Sequence, residues 1–379
     1  MTPFELRALF PSAQKCIHLN HAGTSPIATP VADAVRGVLE ELQSANPLVA
    51  YERAFERAAQ LRGIWGRMLQ TSPDNLAVVK NTSQGLSIIA QGIAFQAGEN
   101  VVVAANEYPS NRYPWQAQET RGVRTRFVEP QGDGTVSEAD LESACDAQTR
   151  VLAVSWVQWG TGQRMDLARL SAFCLARNIL LVVDAVQGFG ALRLALPELP
   201  GIAFATGGGH KWLLAPGGVG FLYVRPDLLD TLLPNNVGWN WVASPMDWDT
   251  PQWNTPKPGA ARFEEGTPNV LGLAAMWAAM QLLEAVGTDA VEAWVLSLAA
   301  HTRTVLAGRG MTLVSPRGGQ ARTGIVAFRH PVLPNDSVEK TLTAAGVVCA
   351  VRCGNIRFAS HVYSTESEID AAVSAIPAP

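Results

Sequence analysis

The sequence predicts an α/β fold, in which helices flank a mostly parallel sheet and a smaller α+β part follows towards the C-terminus. Short apolar runs at residues 100–105, 151–157 and 180–183 have the length and composition of buried parallel strands. A helical pattern at residues 166–176 separates the second run from the third, and such alternation is typical of parallel sheets. Polar residues follow the runs directly, so we expect the ligand site at the carboxyl ends of the strands.

The other elements are predicted from periodicity and turn signals. Residues 30–43 and 51–69 have the apolar spacing of amphipathic helices, and the turn-rich loop 20–26 precedes them. Residues 291–306 form a further predicted helix. Beyond it, two predicted strands alternate with two predicted helices, which indicates the smaller α+β domain. The strands are residues 324–328 and 347–351, and the helices are residues 336–345 and 366–376.

Composition and charge exclude several classes of protein. Hydrophobic residues make up 47% of the 379 residues and charged residues 16%, which predicts a large buried core. The net charge of −4 argues against a nucleic-acid or anionic-membrane partner, and no histidine spacing indicates a metal site. Scattered cysteines without Cys-x-x-Cys spacing, and an N-terminus without an apolar core region, favour a cytoplasmic location. The longest uncharged run, residues 266–283, predicts a buried helix rather than a membrane span.

Residues 180–223 contain the strongest chemical signal. The apolar run ends in Asp184, Gln187 follows three residues later, and three glycines precede His210 and Lys211. A carboxylate and an amine that converge on one ligand suit a pyridine electron-sink cofactor, because the carboxylate keeps the ring nitrogen protonated and the lysine forms a Schiff base. Taken alone, Asp184 is also a common turn residue and Lys211 a common solvated one. Their combination with glycine-rich backbone, which leaves N–H groups free for a phosphate, favours a cofactor site.

The motifs VVDAVQ, GGHKWLLAPGGVGFLYVRP and FEEGTPN resemble those of class V aminotransferases, which are pyridoxal 5'-phosphate (PLP) enzymes of fold type I. This family includes cysteine desulfurases, selenocysteine lyases, kynureninases and isopenicillin N epimerases. The resemblance extends from about residue 20 to the C-terminus. It implies a large cofactor-binding domain at residues 20–265, with a sheet of the seven-stranded type, and a small domain formed by residues 1–19 and 266–379. It also implies a homodimer with active sites at the interface.

The resemblance assigns roles around the cofactor ring. Lys211 would form the Schiff base and then shuttle protons, Asp184 would pair with the pyridine nitrogen, and Gln187 would hydrogen-bond the ring hydroxyl. Tyr108 takes the place of the histidine that stacks on the ring in desulfurases. An aromatic face can still stack there, but a phenol is a much weaker base than imidazole near neutral pH.

The cofactor phosphate is expected at the start of the helix that follows Asn81. Thr82 and Ser83 could simply cap this helix, and the same geometry binds phosphate at the positive end of the helix dipole. The resemblance implies the phosphate site, completed by His210 and by Thr267 of the partner subunit. Desulfurases have a serine two residues before this histidine, where the present chain has a glycine.

The substrate is expected to be an amino acid or a related amine. The resemblance implies that Arg357 holds its α-carboxylate, and a guanidinium fork suits that group. Gln158 is expected to make a polar contact with the substrate, or else to be an ordinary polar residue of its loop. A loop with four tryptophans at residues 239–253 is expected either to line the substrate site or to pack on the partner subunit. The further predicted substrate-binding residues are Gln158, Trp156, His21 and Ala22.

The resemblance leaves the type of reaction open. The first prediction is an enzyme that acts on an amino acid through an external aldimine, as a transaminase or epimerase. The alternatives are a thiol-independent lyase that breaks a C–S or other bond by β-elimination, a desulfurase-like enzyme, and a non-catalytic PLP-binding regulator. Only Asn355 and Ile356 separate Arg352-Cys353-Gly354 from the next arginine, so the cysteine-bearing loop of one desulfurase branch is shortened here. A persulfide-forming activity is therefore not expected.

Overall fold

A computed structural model describes residues 1–250, 252–316 and 318–379 of the chain. It contains two helix-flanked sheets and a short two-stranded pair. The strands are β1 (Ile17–His18), β2 (Leu76–Val79), β3 (Asn100–Ala104), β4 (Arg124–Val128), β5 (Thr149–Ser155), β6 (Leu180–Asp184), β7 (Ile202–Gly208), β8 (Gly220–Val224), β9 (Thr312–Leu313), β10 (Ile325–Arg329), β11 (Val347–Val348), β12 (Ala350–Arg352) and β13 (Asn355–Ala359). The α-helices are α1 (Pro3–Arg7), α2 (Thr29–Leu42), α3 (Leu48–Leu69), α4 (Thr82–Gly92), α5 (Tyr113–Gln116), α6 (Glu138–Ala144), α7 (Leu167–Arg177), α8 (Val270–Val286), α9 (Thr288–Gly308), α10 (Asn335–Ala344) and α11 (Glu366–Ser374).

The main sheet confirms the predicted α/β fold. Its seven strands follow the order β2-β8-β7-β6-β5-β3-β4, and only β8 runs antiparallel to its neighbours. Successive residues of β3 contribute to different cores, with Val101 and Val103 on one face and Val102 and Ala104 on the other. Because both faces of this strand are buried, its sequence is a continuous apolar run rather than an alternating one.

Helix α8 contains residues 270–283 of the longest uncharged run, which begins at residue 266. It packs between α2 and α3 and most of its residues are buried, as expected for a core helix. Its first turn is capped by Asn269, whose side chain accepts a hydrogen bond from the backbone N–H of Gly272. Within the described residues, no single helix is long and apolar enough to cross a membrane. Helices α8 and α9 meet that test only as a pair, and they bend by 82° at their junction.

The C-terminal part forms a four-stranded antiparallel sheet of order β12-β13-β10-β9. The predicted strand 347–351 is divided in the structure, since β11 pairs with β1 and β12 pairs with β13. The two-residue connection between β12 and β13 has positive φ angles at both Cys353 (50°) and Gly354 (71°), as a type I′ hairpin turn requires. The division of the chain at residues 19/20 and 265/266 stays a prediction.

Candidate active site

The carboxyl end of β6, the loop after β7, the start of α4 and strand β13 meet around a cavity of about 350 Å³. This is the edge of the parallel sheet at which ligands of open α/β sheets bind. Nine of the residues predicted from the sequence line this cavity. They are Ala22, Thr82, Ser83, Tyr108, Asp184, Gln187, His210, Lys211 and Arg357.

Asp184 and Lys211 are two ionisable groups that line the cavity. Asp184 is the last residue of β6 and is buried, and its Oδ1 accepts a hydrogen bond of 2.9 Å from the backbone N–H of Val186. Burial raises the pKa of the Asp184 carboxyl to about 6, against the opposing effect of that hydrogen bond and of the Lys211 charge. Burial also lowers the pKa of the Lys211 amine to about 8, so part of it is the neutral nucleophile near neutral pH.

Gln187 is held in one orientation by two buried partners. The indole N–H of Trp212 donates to Oε1 of Gln187, and Nε2 of Gln187 donates to the carbonyl oxygen of Ala22, each at 2.9 Å. Since an indole N–H can only donate and a carbonyl can only accept, the amide cannot be flipped without losing both bonds. One N–H of Nε2 remains for a ligand in the cavity.

The start of α4 provides an anion site. The side chain of Asn81 caps the helix by accepting from the backbone N–H of Gln84, and the hydroxyl of Ser83 pairs with the hydroxyl of Ser110 at 2.7 Å. Oγ1 of Thr82 is buried and has no hydrogen-bond partner among the described residues. A Cβ atom added to Gly208 would lie 3.4 Å from this oxygen and 3.3 Å from Nδ1 of His210, so the glycine keeps the space between them open. These features suit a phosphate at the positive end of the helix dipole.

The guanidinium group of Arg357 belongs to the lining of the same cavity. Its Nη1 donates to the carbonyl oxygen of Trp159 at 2.5 Å, and its Nη2 donates to Oδ1 of Asn20 at 3.1 Å. Its Nε is buried, and in the part of the chain that the structure describes it has no hydrogen-bond partner. Burial lowers the pKa of Arg357 to about 10, with a contribution from the positive charge of Arg352. A buried cation with an unused donor has strong affinity for a carboxylate.

Two of the predicted substrate-binding residues are buried beside the cavity and do not line it. His21 has both ring nitrogens engaged, Nδ1 with the carbonyl oxygen of Ala359 at 3.0 Å and Nε2 with the hydroxyl of Tyr363 at 2.9 Å. Gln158 folds back on its own loop, where its Oε1 accepts from the backbone N–H groups of Gly160 and Thr161. Both side chains therefore organise the walls of the site from behind.

Two other predicted residues lie elsewhere. Trp156 packs against Gly188, where a methyl group would overlap the indole, and Arg164 covers the ring at 5.4 Å from its centroid. Thr267 lines a separate cavity together with Lys80 and Glu265, which form an ion pair. The role predicted for Thr267, in the site of a partner subunit, is not tested by a single chain.

The sequence analysis missed several residues that line the cavity, among them Asn81, Ser110, Trp159 and Arg352. It also missed Glu107, a buried carboxyl that accepts from the backbone N–H of Ser155 at 2.5 Å and from its hydroxyl. Burial raises the pKa of Glu107 to about 7, with a contribution from the charge of Asp184. Except for Arg352, which ends strand β12, the sequence signal for these residues was their position in segments that follow strands.

The arrangement fits a phosphate-bearing pyridine cofactor that is bound through an amine. The unpartnered hydroxyl of Thr82 and the open space at Gly208 match a phosphate, Asp184 matches a ring nitrogen, and Lys211 matches a Schiff-base lysine. The free donor of Arg357 matches a substrate carboxylate in the same cavity.

Comparisons with known proteins support this interpretation. The chain is 28% identical to an uncharacterized aminotransferase of Bacillus subtilis, YcbU, over 99% of its length and 98% of the relative. It is 29% identical to the isopenicillin N epimerase of Streptomyces clavuligerus, over 96% of its length and 94% of the relative. A probable cysteine desulfurase of Pyrococcus abyssi is 26% identical over 97% of this chain and 95% of its own.

Solved structures have the same fold. A cysteine desulfurase from Thermococcus onnurineus superimposes with a TM-score of 0.86 at 23% identity, covering 99% of this chain and 97% of that one. The cystine C–S lyase C-DES, in complex with cysteine persulfide, gives a TM-score of 0.87 at 23% identity, covering 96% and 98%. The family model for class V aminotransferases matches residues 17–371. The chain therefore belongs to the class V aminotransferase family and is a PLP-dependent enzyme.

Proposed function

We propose that this enzyme acts on the α-amino group and Cα–H bond of an amino acid, in a transamination or an epimerisation. The observation that supports this most strongly is the convergence of Lys211, Asp184 and Arg357 on one cavity. Bound PLP supplies an electron sink that is conjugated to the substrate Cα. An amine, a carboxylate and a guanidinium at the cavity walls are the three groups that such a reaction requires of the protein.

Lys211 is the proposed proton carrier. Because burial lowers its pKa to about 8, its amine exchanges a proton readily near neutral pH. Tyr108 lies beside it, with the Lys211 Nζ atom 5.7 Å from the centroid of the phenol ring. The ring of Tyr108 also meets Trp159 edge to face at 5.5 Å, so its flat surface can form one wall for the cofactor.

Asp184 and Gln187 are the residues proposed to set the protonation and hydrogen bonding of the cofactor ring. Once a pyridinium nitrogen faces Asp184, the buried carboxylate gains an opposite charge, and its ionised form becomes favourable despite burial. The remaining N–H of Gln187 is placed to donate to the ring hydroxyl, since its other donor and its acceptor are already used. Thr82, Ser83 and His210 are the proposed phosphate ligands from this chain.

Arg357 is the proposed grip on the α-carboxylate. Its two bonds to Trp159 and Asn20 fix the plane of the guanidinium, while Nε remains unpaired. A carboxylate that pairs with this group would hold its substrate in the cavity that Lys211 also lines. Positioning of this kind removes much of the entropic cost of the proton transfer.

We also propose a homodimer in which Thr267 completes the phosphate site of the other subunit. Thr267 does not line the cavity that contains Lys211 in its own chain. Its neighbour Gly266 lies beside the indole of Trp239, which packs against Trp248, and Trp248 and Trp253 are 64% and 66% exposed. Exposed apolar side chains of this size are typical of protein interfaces. Of the two expectations for the loop 239–253, packing on the partner is therefore preferred.

The second candidate is a β-elimination that uses no enzyme thiol. Its support is the position of Cys353 in a two-residue turn, where φ is 50° and no extended loop is available to carry the thiol into the cavity. Burial also raises the pKa of the Cys353 thiol, which disfavours the reactive thiolate. Relatives named cysteine desulfurase make sulfur substrates worth testing, and a thiol-free lyase would release sulfide rather than form an enzyme persulfide.

The experiment is a panel of L- and D-amino acids with the PLP-loaded protein. Absorbance changes of the cofactor report binding, and the products distinguish the reactions: a 2-oxo acid with an amino acceptor, inversion at Cα, or ammonia with a released leaving group. Lys211→Ala serves as the control that retains the cavity but lacks the amine. If no amino acid alters the absorbance of the wild type or gives a product, the proposed function is wrong.

A further inference from the structure

We propose that Arg352 binds a second anionic group on the substrate, so that the enzyme prefers amino acids with a carboxylate in the side chain. This inference rests on the proposed function, since it concerns a substrate whose α-carboxylate is already paired with Arg357. Nothing in the sequence analysis pointed to Arg352 as a binding residue, and its placement follows from the structure of the small sheet.

The hairpin of β12 and β13 fixes the relation between the two arginines. In this antiparallel pair, Arg352 is opposite Asn355 and Ala350 is opposite Arg357. Side chains two residues apart on one strand share a face, so Asn355, Arg357 and the cross-strand Arg352 all project from the same face. Arg352 and Arg357 are therefore diagonal neighbours, about 7–8 Å apart at their Cα atoms. Both line the cavity that contains Lys211.

The turn that joins the two strands makes this arrangement rigid. It consists of Cys353 and Gly354 alone, both in the left-handed region, and Asn355 Nδ2 donates to the carbonyl oxygen of Cys353 at 3.0 Å. A two-residue turn of this type sets the register of its strands and leaves no slack for a change in register. The backbone of Arg352 is thus held in place beside the cavity, while its side chain reaches into it.

The charges of the cavity leave Arg352 without a partner. Three permanently or largely cationic side chains line it, namely Lys211, Arg352 and Arg357, against the single carboxylate of Asp184. In the proposed function Asp184 faces the ring nitrogen and Arg357 holds the α-carboxylate. The cofactor phosphate would be bound by Thr82 and Ser83 at the start of α4. One positive charge therefore remains next to the substrate.

The contacts of Arg352 agree with an unpaired positive charge in the cavity. Within residues 1–250, 252–316 and 318–379, Arg352 forms no ion pair, and its guanidinium donates only to the carbonyl oxygen of the adjacent Val351. Its positive charge lowers the pKa of both Lys211 and Arg357. An anion bound to Arg352 would relieve this repulsion, which adds to the pairing itself. A guanidinium fork binds a carboxylate by two parallel hydrogen bonds.

The size of the site limits the substrate. Two guanidinium groups on diagonal neighbours can grip two carboxylates that are separated by one to three methylene groups, because long arginine side chains can adjust their reach. The chemical class is therefore a dicarboxylic amino acid. Amino acids with small neutral or apolar side chains would leave Arg352 solvated and would gain nothing from it.

The test uses two amino acids that bind without losing a proton from Cα, 2-methylaspartate and 2-aminoisobutyrate. Both carry an α-carboxylate and an α-amino group, and only the first has a second carboxylate. Dissociation constants are measured by calorimetry and by cofactor absorbance with PLP-loaded wild type and with Arg352→Gln. Arg124→Gln is the matched control, because Arg124 is exposed at the edge of the main sheet and does not line the cavity.

Wild type should bind 2-methylaspartate about 10- to 100-fold more tightly than 2-aminoisobutyrate, as expected for a charge-assisted pair of hydrogen bonds. Arg352→Gln should remove this preference, Arg352→Lys should keep part of it, and Arg124→Gln should leave it intact. Equal affinity of wild type for the two compounds, or an unchanged preference in Arg352→Gln, would overturn the role of Arg352 but would leave the proposed function intact. If wild type binds neither compound, the proposed function fails and the inference fails with it.

Discussion

Replacing Asp184 by asparagine should stabilise the cofactor-free protein above pH 6, although the same change should inactivate the PLP-loaded enzyme. Asp184 is buried, and among the described residues the only hydrogen-bond donor to its carboxylate is the backbone N–H of Val186. Asparagine has nearly the same shape and can accept the same hydrogen bond through its own Oδ1. The substitution therefore removes a buried charge while it retains the local packing.

The magnitude follows from the pKa. The folded-state pKa of about 6 exceeds the ordinary value of 3.8, so the folded protein binds this proton more tightly than the unfolded chain does. The resulting stability is complete below about pH 4 and is lost as the pH rises through 6. A difference of about two pKa units corresponds to about 3 kcal/mol above that pH. With an unfolding entropy of about 2 cal/mol/K per residue, the melting temperature should rise by about 4 °C.

The assay is thermal unfolding of cofactor-free wild type and Asp184→Asn at equal protein concentration, from pH 4 to pH 8. The two should melt together near pH 4 and separate above pH 6, with the variant more stable. Asp249→Asn changes an exposed carboxylate and should show no such separation. A variant that melts at or below the wild-type temperature at pH 8, or a difference that does not depend on pH, would refute the reasoning.

Three further substitutions test individual contacts. Arg357→Lys keeps the charge but loses the planar fork, so KM for amino acid substrates should rise about 10- to 100-fold with a smaller change in kcat. An unchanged KM would argue against binding of the substrate carboxylate by Arg357. Trp212→Phe removes the donor to Oε1 of Gln187 and should lower the free energy of unfolding by about 1–3 kcal/mol. It should also shift the pH titration of the cofactor absorbance, and an unaltered titration would contradict the role of Trp212 in orienting Gln187. Cys353→Ser should leave any sulfide release from cysteine intact, whereas its complete loss would restore a persulfide mechanism.

The strands at the centre of the main sheet could be predicted because burial on both faces makes them continuous apolar runs. Strand β4 could not, since Arg124–Val128 lies at the edge of the sheet and its sequence mixes arginine and threonine with apolar residues. The seven residues of α6 are too few to show a helical period. The split of the predicted strand 347–351 also depends on tertiary partners, because β11 and β12 pair with different strands.

The same distinction applies to the site. Asp184, Gln187 and Lys211 lie within 28 residues of one another and form a local motif, so their convergence could be inferred from spacing. Trp159 and Arg352 come from different sheets, and only the packing of the small sheet against the main one brings them to the cavity. His21 belongs to a loop that does border the cavity through Ala22. Adjacent side chains on that loop point in different directions, and sequence alone does not distinguish them.

The central claim is that Lys211 carries the cofactor, and it can be measured directly. PLP-loaded protein is reduced with borohydride, digested and analysed by mass spectrometry for the pyridoxyl group. The account predicts the label on Lys211 and on none of the other four lysines, Lys15, Lys80, Lys257 and Lys340. It also predicts that Lys211→Ala takes up no reducible label. A label on another lysine at equal occupancy, or undiminished labelling of Lys211→Ala, would contradict it.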